Sequence, residues 1–442
     1  MRRAVVVRSA IFTAHHITSH HSLPLHPPSK MVSMAAVASS ALEHDGPTAS
    51  PPSSAHAIAG NDDALSEILL RTPVKSLIRF KSVSKHWSSL ISNPHFSLLH
   101  TLRHSASKPS ALLLRLTPPD FDFVPLRDSL SKSPSPPPFR SLNSILHRPS
   151  GSGTKILQSC NGLLLCCSFP HSIGNVRRYY VVNPTTKHRL LLDLPRADVS
   201  SVFGVNLAFD PSISPHYNVV FVRSTPLSIY CRQIEIYSSE TRSWRLSGDS
   251  FRPQFDMLFT DGVFWNRAIH WISPSGVSLR FSVDGECLGT MPPLPLLDTD
   301  WYTRRYRFFG ESNGHLHLIE VYGPQTTQFR VLEMERDYSQ WFVKFSVNLD
   351  GIVAAFPEMV RSYLDTHDGN YYAFSILGVL REDNEDESFL VLSVPGKVIS
   401  YNFKDSSLKE LLDFAPAKID KNHILQFGCF DTYQYIESLA PV

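Results

Sequence analysis

The sequence predicts an α+β chain of two unlike parts, a small helical module followed by an all-β domain of the β-propeller type. Three observations support this fold class. Apolar residues recur at helical spacing between residues 62 and 99, as they do in amphipathic helices. From residue 156 onward, short apolar runs alternate with turn-forming dipeptides, as they do in strand-rich domains. A Pro- and Ser-rich stretch over residues 129–138 separates the two parts and can continue neither a helix nor a central strand.

The helical module opens with an apolar stripe in which Leu65, Ile68 and Leu69 stand at i, i+3 and i+4. Pro73 predicts the end of this helix and the start of the next, with Thr72 as its N-cap. Further stripes or helix starts follow at Val74, Leu77 and Ile78, at Val83, Trp87, Leu90 and Ile91, and at Asn93-Pro94 with Phe96 and Leu99. About 40 residues are too few to bury so many apolar side chains among themselves. We therefore expect a partner to cover part of this surface.

The segment 62–87 resembles an F-box in the form found in plant proteins. The matching residues are Asp63, Leu65, Glu67, Ile68, Leu69, Pro73, Val74, Lys75, Ser76, Leu77, Val83, Ser84, Lys85 and Trp87. Residues 92–99 fit the continuation of the family pattern, with Asn93 in the place of an Asp. Gly60-Asn61 replaces the opening Leu-Pro, and Thr72 replaces a Leu; both changes are expected to weaken docking of the first helix. The alternative is a small helical cap whose apolar stripes form only its own core.

The β domain contains two series of turn signals that run in phase. Turn dipeptides stand at Asn161-Gly162, Asp261-Gly262, Asn313-Gly314 and Asp368-Gly369. Strands that end in polar turns lie at 182–186, 236–241, 283–286, 333–337 and 403–406. A spacing of about 50 residues, or about 100 where one dipeptide is skipped, fits kelch-type propeller blades of four strands each. We expect about five or six blades; the alternative is a pair of irregular β-sandwiches.

The same region resembles the F-box-associated domain of plant F-box proteins. The stretches that carry this resemblance are 159–166, 182–187, 207–211 with 214–217, 234–241, and 262–265 with 269–271. The Asn-Pro-Thr-Thr turn at 183–186 and the Gly-Val-Phe-Trp stretch at 262–265 are distinctive together and weak separately. With the F-box, the resemblance covers most of residues 60–440.

These observations divide the chain into four segments. We predict a disordered leader over 1–58, the F-box over 59–104, a connecting segment over 105–155 with a first strand at 111–116, and the β domain over 156–442. The leader carries Arg2, Arg3 and Arg8 and is rich in Ser and Ala, a composition seen in transit peptides. Pro24, Pro27 and Pro28 interrupt any amphipathic helix there, so a disordered leader is the favoured interpretation.

Composition argues against several classes of protein. The 442 residues carry 42 basic and 40 acidic side chains and a net charge of +2, so charge gives no indication of nucleic-acid binding. No apolar run reaches the ~18 residues of a membrane-spanning helix. The six cysteines never form a C-x-x-C motif, which argues against a zinc site or a disulfide framework and suits a reducing compartment. We expect a protein of the cytoplasm, the nucleus or both.

No catalytic motif is present in the sequence, and we expect no cofactor. His315 and His317 face the same way on a strand and form a possible metal pair, but without further ligands nearby a half-buried strand face is favoured. Trp265 and Trp271 offer a ligand platform or, more commonly, core packing. The acidic run 381–387 either binds a basic partner or forms a solvated hairpin tip.

The two resemblances together imply the substrate-recognition subunit of an SCF-type cullin–RING ubiquitin ligase, a protein that marks targets for degradation. They imply that the F-box docks on a Skp-family adaptor, and through it on a cullin, while the β domain holds a target protein and the chain catalyses no step itself. The expected adaptor contacts are Leu65, Ile68, Leu69, Pro73, Val74, Leu77 and Ile78. Trp87 is expected to brace the helices from within. Target contacts are expected on inter-strand loops such as 297–305, with Trp301 and Tyr302 as candidates.

Two other functions remain open on the sequence. A kelch-like enzyme would need histidine, tyrosine, cysteine or carboxylate side chains that converge on the propeller axis. A non-ligase interaction protein would use its F-box for another purpose, and Gly60-Asn61 in place of Leu-Pro is the feature that favours it.

Overall fold

Four short helices form the N-terminal module. They are α1 (Asp62–Leu69), α2 (Val74–Phe80), α3 (Lys85–Ser92) and α4 (Pro94–Arg103). The Ser84 side chain accepts a hydrogen bond from the Trp87 amide at 3.1 Å and so caps α3. Asn93 caps α4 in the same way, accepting from the His95 amide at 2.8 Å, and Pro94 fills the first helical position, as the sequence predicts.

One predicted cap is wrong. Helix α2 begins at Val74 with Pro73 as its N-cap residue, and no side chain caps it. Thr72 instead donates its hydroxyl to the Ile68 carbonyl at 3.1 Å, so it serves the end of α1. Pro73 has φ −58° and ψ 146°, which is an extended and not a helical backbone, so α2 begins one residue later than the spacing predicts.

The computed structural model describes residues 61–104, 108–115, 120–126, 139, 141–146, 153–168, 177–194, 202–226, 228–274, 276–295, 304–322, 326–414 and 432–442. The described residues from Asp63 onward belong to one compact unit. No helix among the described residues is long and apolar enough to cross a membrane.

Strands dominate the remaining described residues. They are β1 (Ala111–Arg115), β2 (Phe121–Pro125), β3 (Thr154–Cys160), β4 (Leu163–Ser168), β5 (Arg178–Asn183), β6 (His188–Leu192), β7 (Val202–Ala208), β8 (Asn218–Thr225), β9 (Ser228–Ser238), β10 (Ser243–Phe251), β11 (Val263–Trp265), β12 (Ala268–Trp271), β13 (Leu279–Ser282), β14 (Cys287–Thr290), β15 (Arg304–Ser312), β16 (His315–Tyr322), β17 (Gln328–Met334), β18 (Trp341–Asn348), β19 (Ser375–Leu380), β20 (Phe389–Val394), β21 (Lys397–Asn402), β22 (Leu408–Asp413) and β23 (Thr432–Tyr435). Two short helices, α5 (Leu142–Leu146) and α6 (Asp350–Ala355), precede β3 and follow β18.

The strands form six antiparallel sheets, the blades of a six-bladed propeller. Blades 1 to 5 are consecutive meanders of four strands, β3–β6, β7–β10, β11–β14, β15–β18 and β19–β22. The first strand of each blade contacts the first strand of the next, so these strands surround the axis. Each hydrophobic cluster of the described propeller residues spans two adjacent blades; Leu163 and Val205, for example, share the cluster between blades 1 and 2. Blades are therefore buried on both faces, and the all-β prediction is confirmed.

The sixth blade closes the ring. Its sheet has the order β2-β1-β23, with Ala111 paired to Tyr435 and Leu114 paired to Thr432. Strand β23 lies next to β3 and is the inner strand of this blade. The propeller thus includes β1 and β2, which the sequence analysis assigned to a connecting segment, because their partner strand lies more than 300 residues further along the chain.

Of the two series of turn signals, the polar turns mark a hairpin in each of blades 1 to 5, whereas the turn dipeptides do not. The turn between the third and fourth strands of blades 1 to 5 contains a residue with φ from 48° to 62°, at Lys187, Arg242, Glu286, Tyr338 and Ser406. These residues lie in, or directly after, the predicted polar turns. Of the four dipeptides, Asn161-Gly162 and Asn313-Gly314 join first and second strands. Asp368-Gly369 lies in a turn that the Tyr371 amide closes by donating to the Asp368 carbonyl at 2.9 Å, so the turn is confirmed although it joins no named strands. Asp261-Gly262 ends a short 3-10 helix before β11, so a hairpin there is wrong. Gly262 instead permits a close approach, since a Cβ there would lie 2.6 Å from Asn206 Nδ2.

Candidate functional site

The helical module has its own apolar core. Leu65, Leu69, Leu70, Val74, Leu77, Ile91 and Phe96 are buried together, and Trp87 packs against them from the edge. The Trp87 ring also meets Phe80 edge-on, with centroids 5.5 Å apart. Trp87 therefore braces the helices, as predicted.

Helix α4 is held against the turn between α1 and α2 by polar contacts. His100 Nε2 donates to the Thr72 carbonyl and His104 Nε2 to the Leu70 carbonyl, both at 2.9 Å. Arg103 Nη1 donates to both carboxylate oxygens of Glu67, at 2.8 and 2.6 Å. Burial lowers the pKa of His100, so its imidazole is neutral at pH 7. These contacts fix the relative position of the first and last helices.

The predicted adaptor contacts fall into two groups. Leu65, Leu69, Val74 and Leu77 are buried in the module's own core, and Ile78 is half-buried against it. Ile68 is 48 % exposed, and Pro73 is exposed as well. A charge at fully buried Leu77 would therefore unfold the helical module itself. The buried residues thus stabilise the module, and only the exposed residues are accessible to an adaptor. The adaptor contacts themselves stay a prediction.

The structure adds two exposed leucines to this group. Leu99 and Leu102 lie on α4 and expose large apolar side chains. The Glu67–Arg103 ion pair joins the chain neighbour of Ile68 on α1 to the chain neighbour of Leu102 on α4. We call Ile68, Pro73, Leu99 and Leu102 the F-box surface. Leu102 was missed, although it stands three residues after Leu99 on the same helix.

The C-terminal tail, residues 436–442, joins the helices to the propeller. Leu439 is buried in the helical core, and Lys75 Nζ lies 2.7 Å from Glu437 Oε1. On the propeller side, the buried amide of Asn183 donates to the carbonyls of Ser438 and Ala440, at 3.0 and 2.8 Å. A Cβ on Gly162 would lie 2.4 Å from Ser438 Cβ. The Asn-Gly and Asn-Pro-Thr-Thr motifs therefore hold the tail against blade 1.

The helices occupy one face of the propeller. A small cavity at the junction is lined by Val74 and His100, by Asn161 of the β3–β4 turn, and by Asp210 and Ser212 of the β7–β8 turn. Turns between first and second strands thus face the helices. Turns between second and third strands, such as β8–β9, lie on the opposite face because successive antiparallel strands reverse direction.

The propeller axis contains a cavity of about 170 Å³ lined mainly by the inner strands. Burial raises the pKa of Glu311 to about 7, even though the Gly314 amide donates to its carboxyl at 2.7 Å. Burial also raises the pKa of Asp261. The Cys160 thiol donates to the Phe209 carbonyl at 3.5 Å, and burial raises its pKa. Tyr433 donates its hydroxyl to the Ile156 carbonyl at 2.8 Å. The lining of the axial cavity therefore includes two carboxyl groups, a protonated thiol and a tyrosine hydroxyl that already donates a hydrogen bond.

The histidine pair on β16 shares one carboxylate. His315 Nδ1 donates to Glu333 Oε1 at 2.7 Å, and buried His317 lies 3.3 Å from Glu333 Oε2. Burial opposes the charged form of Glu333, but the two imidazoles outweigh it and hold the pKa of that carboxyl well below its usual range. The described residues contain no group of three or more potential metal ligands.

The remaining candidates of the sequence analysis have structural partners. Trp265 donates to the Gly314 carbonyl and Trp271 to Asn206 Oδ1, both at 2.8 Å and both buried, so the packing interpretation is confirmed. In the acidic run, Lys108 pairs with Glu382 and Asp383, and Lys344 pairs with Glu385. These carboxylates are therefore already engaged within the chain. Trp301 and Tyr302 lie outside the described residues.

Comparisons with known proteins agree with this architecture. Residues 61–99 match the model of the F-box domain, and residues 135–347 match the model described as KIB1-4 beta-propeller. F-box protein At5g07610 of Arabidopsis thaliana is 35% identical over 413 residues, which cover 88% of this chain and 94% of that protein. F-box/kelch-repeat protein At5g43190 of Arabidopsis thaliana is 31% identical over 212 residues, 47% of each chain.

Among solved structures, TolB from Acinetobacter baumannii matches with a TM-score of 0.36 and 10% identity, over 74% of this chain and 66% of that one. The kelch type of the propeller stays a prediction. The match with F-box protein At5g07610 covers most of both chains, and it places this chain in the family of plant F-box proteins.

Proposed function

We propose that this chain is the substrate-recognition subunit of an SCF-type cullin–RING ubiquitin ligase, in the cytoplasm, the nucleus or both. The F-box binds a Skp-family adaptor, which links it to a cullin, and the propeller holds a target protein. The observation that carries this proposal is the junction: Leu439 and the Lys75–Glu437 pair join the F-box core to the propeller. A target on the propeller is then held at a set distance from the adaptor.

The contribution of such a subunit is effective concentration. Holding the target near a ubiquitin-charged enzyme makes the transfer to a target lysine effectively intramolecular. No step of the chemistry needs a side chain of this chain. The side chains of the F-box surface supply adaptor affinity, and each large one that becomes fully buried adds roughly 1.5–3 kcal/mol before association costs.

The axial cavity gives the enzyme alternative little support. Pockets that bind small molecules typically measure about 300–1,000 Å³, whereas this cavity measures about 170 Å³. Its thiol is held protonated by burial, and a protonated thiol is a poor nucleophile. We therefore propose the receptor function alone.

Substitution of Ile68 by Asp tests adaptor binding. Because Ile68 is 48 % exposed, the free protein tolerates the charge, whereas a desolvated interface does not. We expect Ile68→Asp to reduce co-purification with the Skp-family adaptor at least tenfold, with an unchanged melting temperature. Ile229→Asp is the matched control, since Ile229 is exposed on the other face of the propeller and should retain adaptor binding.

Leu102→Asp provides a second, independent change on the same surface. If Ile68→Asp and Leu102→Asp both co-purify with the adaptor at wild-type levels, the F-box surface is not the docking site. If the wild-type chain itself fails to bind any Skp-family adaptor, the ligase proposal falls and the non-ligase alternative gains support.

A further inference from the structure

An exposed apolar cluster lies at one end of blade 2. Ile229 and Tyr230 are 71 % and 65 % exposed at the start of β9, next to the β8–β9 turn. Phe203, at the start of β7, is exposed as well. Exposed single hydrophobic residues are common on protein surfaces, but two of these side chains, Phe203 and Tyr230, each lie against an arginine.

Two arginines lie against these side chains. Arg232 Cζ sits 3.4 Å from the centroid of the Phe203 ring, and its Nη1 donates to the Ile229 carbonyl at 2.7 Å. Arg252 Cζ lies 5.7 Å from the centroid of the Tyr230 ring. These residues lie at the same end of blade 2, and we call them the blade 2 surface: Phe203, Ile229, Tyr230, Arg232 and Arg252.

Among the residues that the structure describes, no carboxylate forms an ion pair with the two arginines of this surface. Arg223 in the same blade lies 2.5 Å from Glu235, but Arg232 and Arg252 form no ion pair with any carboxylate of the described residues. The Nε of Arg232 is buried and makes no hydrogen bond. A guanidinium stacked on an aromatic ring is pre-oriented for a carboxylate, so less entropy is lost when the pair forms.

The blade 2 surface lies on the propeller face away from the F-box. The β7–β8 turn borders the F-box junction, while Phe203 and the β8–β9 turn are at the other end of these strands. Strand β7 has 7 residues, which at about 3.3 Å per residue separate the two ends by roughly 20 Å. An occupant of this surface therefore leaves the F-box surface free.

We propose that the blade 2 surface binds a segment of the target protein that is acidic and carries a large apolar side chain. This inference rests on the proposed function and deepens it. The apolar side chains alone would suit a second copy of the chain, but two arginines without an ion pair among the described residues select carboxylates. Single-stranded nucleic acid also stacks on aromatics beside arginines, yet the net charge of +2 gives no broad electropositive field for it.

Peptide selection tests the proposal. The full-length chain, bound to its adaptor, is used to select random 12-residue peptides displayed on phage. We expect enriched peptides to combine Asp or Glu with Phe, Trp or Leu, and to bind more weakly as salt rises. Synthetic copies should lose at least tenfold affinity for Arg232→Glu, for Arg252→Glu and for Ile229→Asp. Arg242→Glu is the matched control, because Arg242 is exposed in blade 2 on the F-box face.

Exchanging the charges of the peptide and the protein distinguishes a loss of recognition from a loss of folding in the variants. A peptide whose acids are replaced by lysine should bind Arg252→Glu better than the wild-type chain, which an unfolded variant cannot do. The proposal is overturned if the enriched peptides lack Asp and Glu, or if the variants bind these peptides as tightly as the wild-type chain does. It is also overturned if the chain binds oligouridine and Arg232→Glu abolishes that binding. A dimer that Ile229→Asp converts into a monomer would overturn it as well. Each of these results leaves adaptor binding intact, whereas loss of adaptor binding by the wild-type chain counts against the proposed function itself.

Discussion

Glu311 shows how the axial cavity costs stability. Its pKa is raised from 4.5 to about 7 by burial, so between these values the folded chain holds a proton that the unfolded chain releases. The contribution of Glu311 to the unfolding free energy then falls as the pH rises from about 4.5 to 7, and this contribution stays level above 7.

Replacing Glu311 by Gln removes this cost. The amide oxygen still accepts from the Gly314 amide, and no charge is buried. We expect Glu311→Gln to raise the unfolding free energy at pH 8 by up to about 3 kcal/mol, with little gain at pH 4.5. Urea unfolding of both proteins at the two pH values measures the difference. Glu240→Gln, at an exposed residue, is the control; an equal gain from that change would show that net charge, not burial, is responsible.

The sequence predicts which apolar residues line the helices of the F-box, but not whether each side chain faces the core of the module or a partner. Helical spacing identifies Leu65, Ile68 and Leu77 as apolar stripe residues without saying whether a stripe faces its own core or a partner. The structure buries Leu77 fully and leaves Ile68 half-exposed, because α4 covers one side of α1 and not the other. Whether a residue is buried or exposed here depends on how α4 packs, including the ion pair of Glu67 and Arg103, which are 36 residues apart in the sequence. No local sequence pattern predicts such a contact.

At the level of elements, repeated turns were easier to predict than unique contacts. The turn between third and fourth strands recurs with the same positive φ because each blade needs the same hairpin. The C-terminal tail occurs once and has no regular structure, so no periodicity reveals it. Its partner Asn183 was visible only as part of a motif, and its function became clear from two buried hydrogen bonds.

Asn183→Asp tests the contribution of the tail. The carboxylate still accepts from the amides of Thr185 and Thr186, as the Asn side chain does, but it can no longer donate to the Ser438 and Ala440 carbonyls. We expect a loss of roughly 2–5 kcal/mol in stability, since a charge is buried opposite two acceptors. Hydrogen exchange should speed up in residues 436–442 and in α2. Asn93→Asp, an exposed helix cap that retains its acceptor, should change neither; equal effects of the two variants would contradict the role of the tail.

For the whole molecule, the spacing of the turns predicts about five or six blades, and the structure has six. The uncertainty came from the last blade, whose strands β1 and β23 are separated by most of the chain. The spacing of turns reveals blades that are built from consecutive hairpins. It cannot reveal a sheet whose strands come from distant parts of the chain. Because β23 continues directly into the tail that enters the F-box core, closure of the ring and folding of the F-box are coupled.

Removal of residues 432–442 should therefore disable both parts at once. The truncated chain loses the inner strand of blade 6 and Leu439 of the F-box core. We expect it to lose protection from hydrogen exchange in α2 as well as in β3, and to stop binding the adaptor although every residue of the F-box surface is present. A synthetic peptide of residues 432–442, added in trans, should restore both by pairing with β1, as an added strand completes an open sheet. Adaptor binding that survives the truncation unchanged would mean that the F-box folds independently, and the coupling would then be absent.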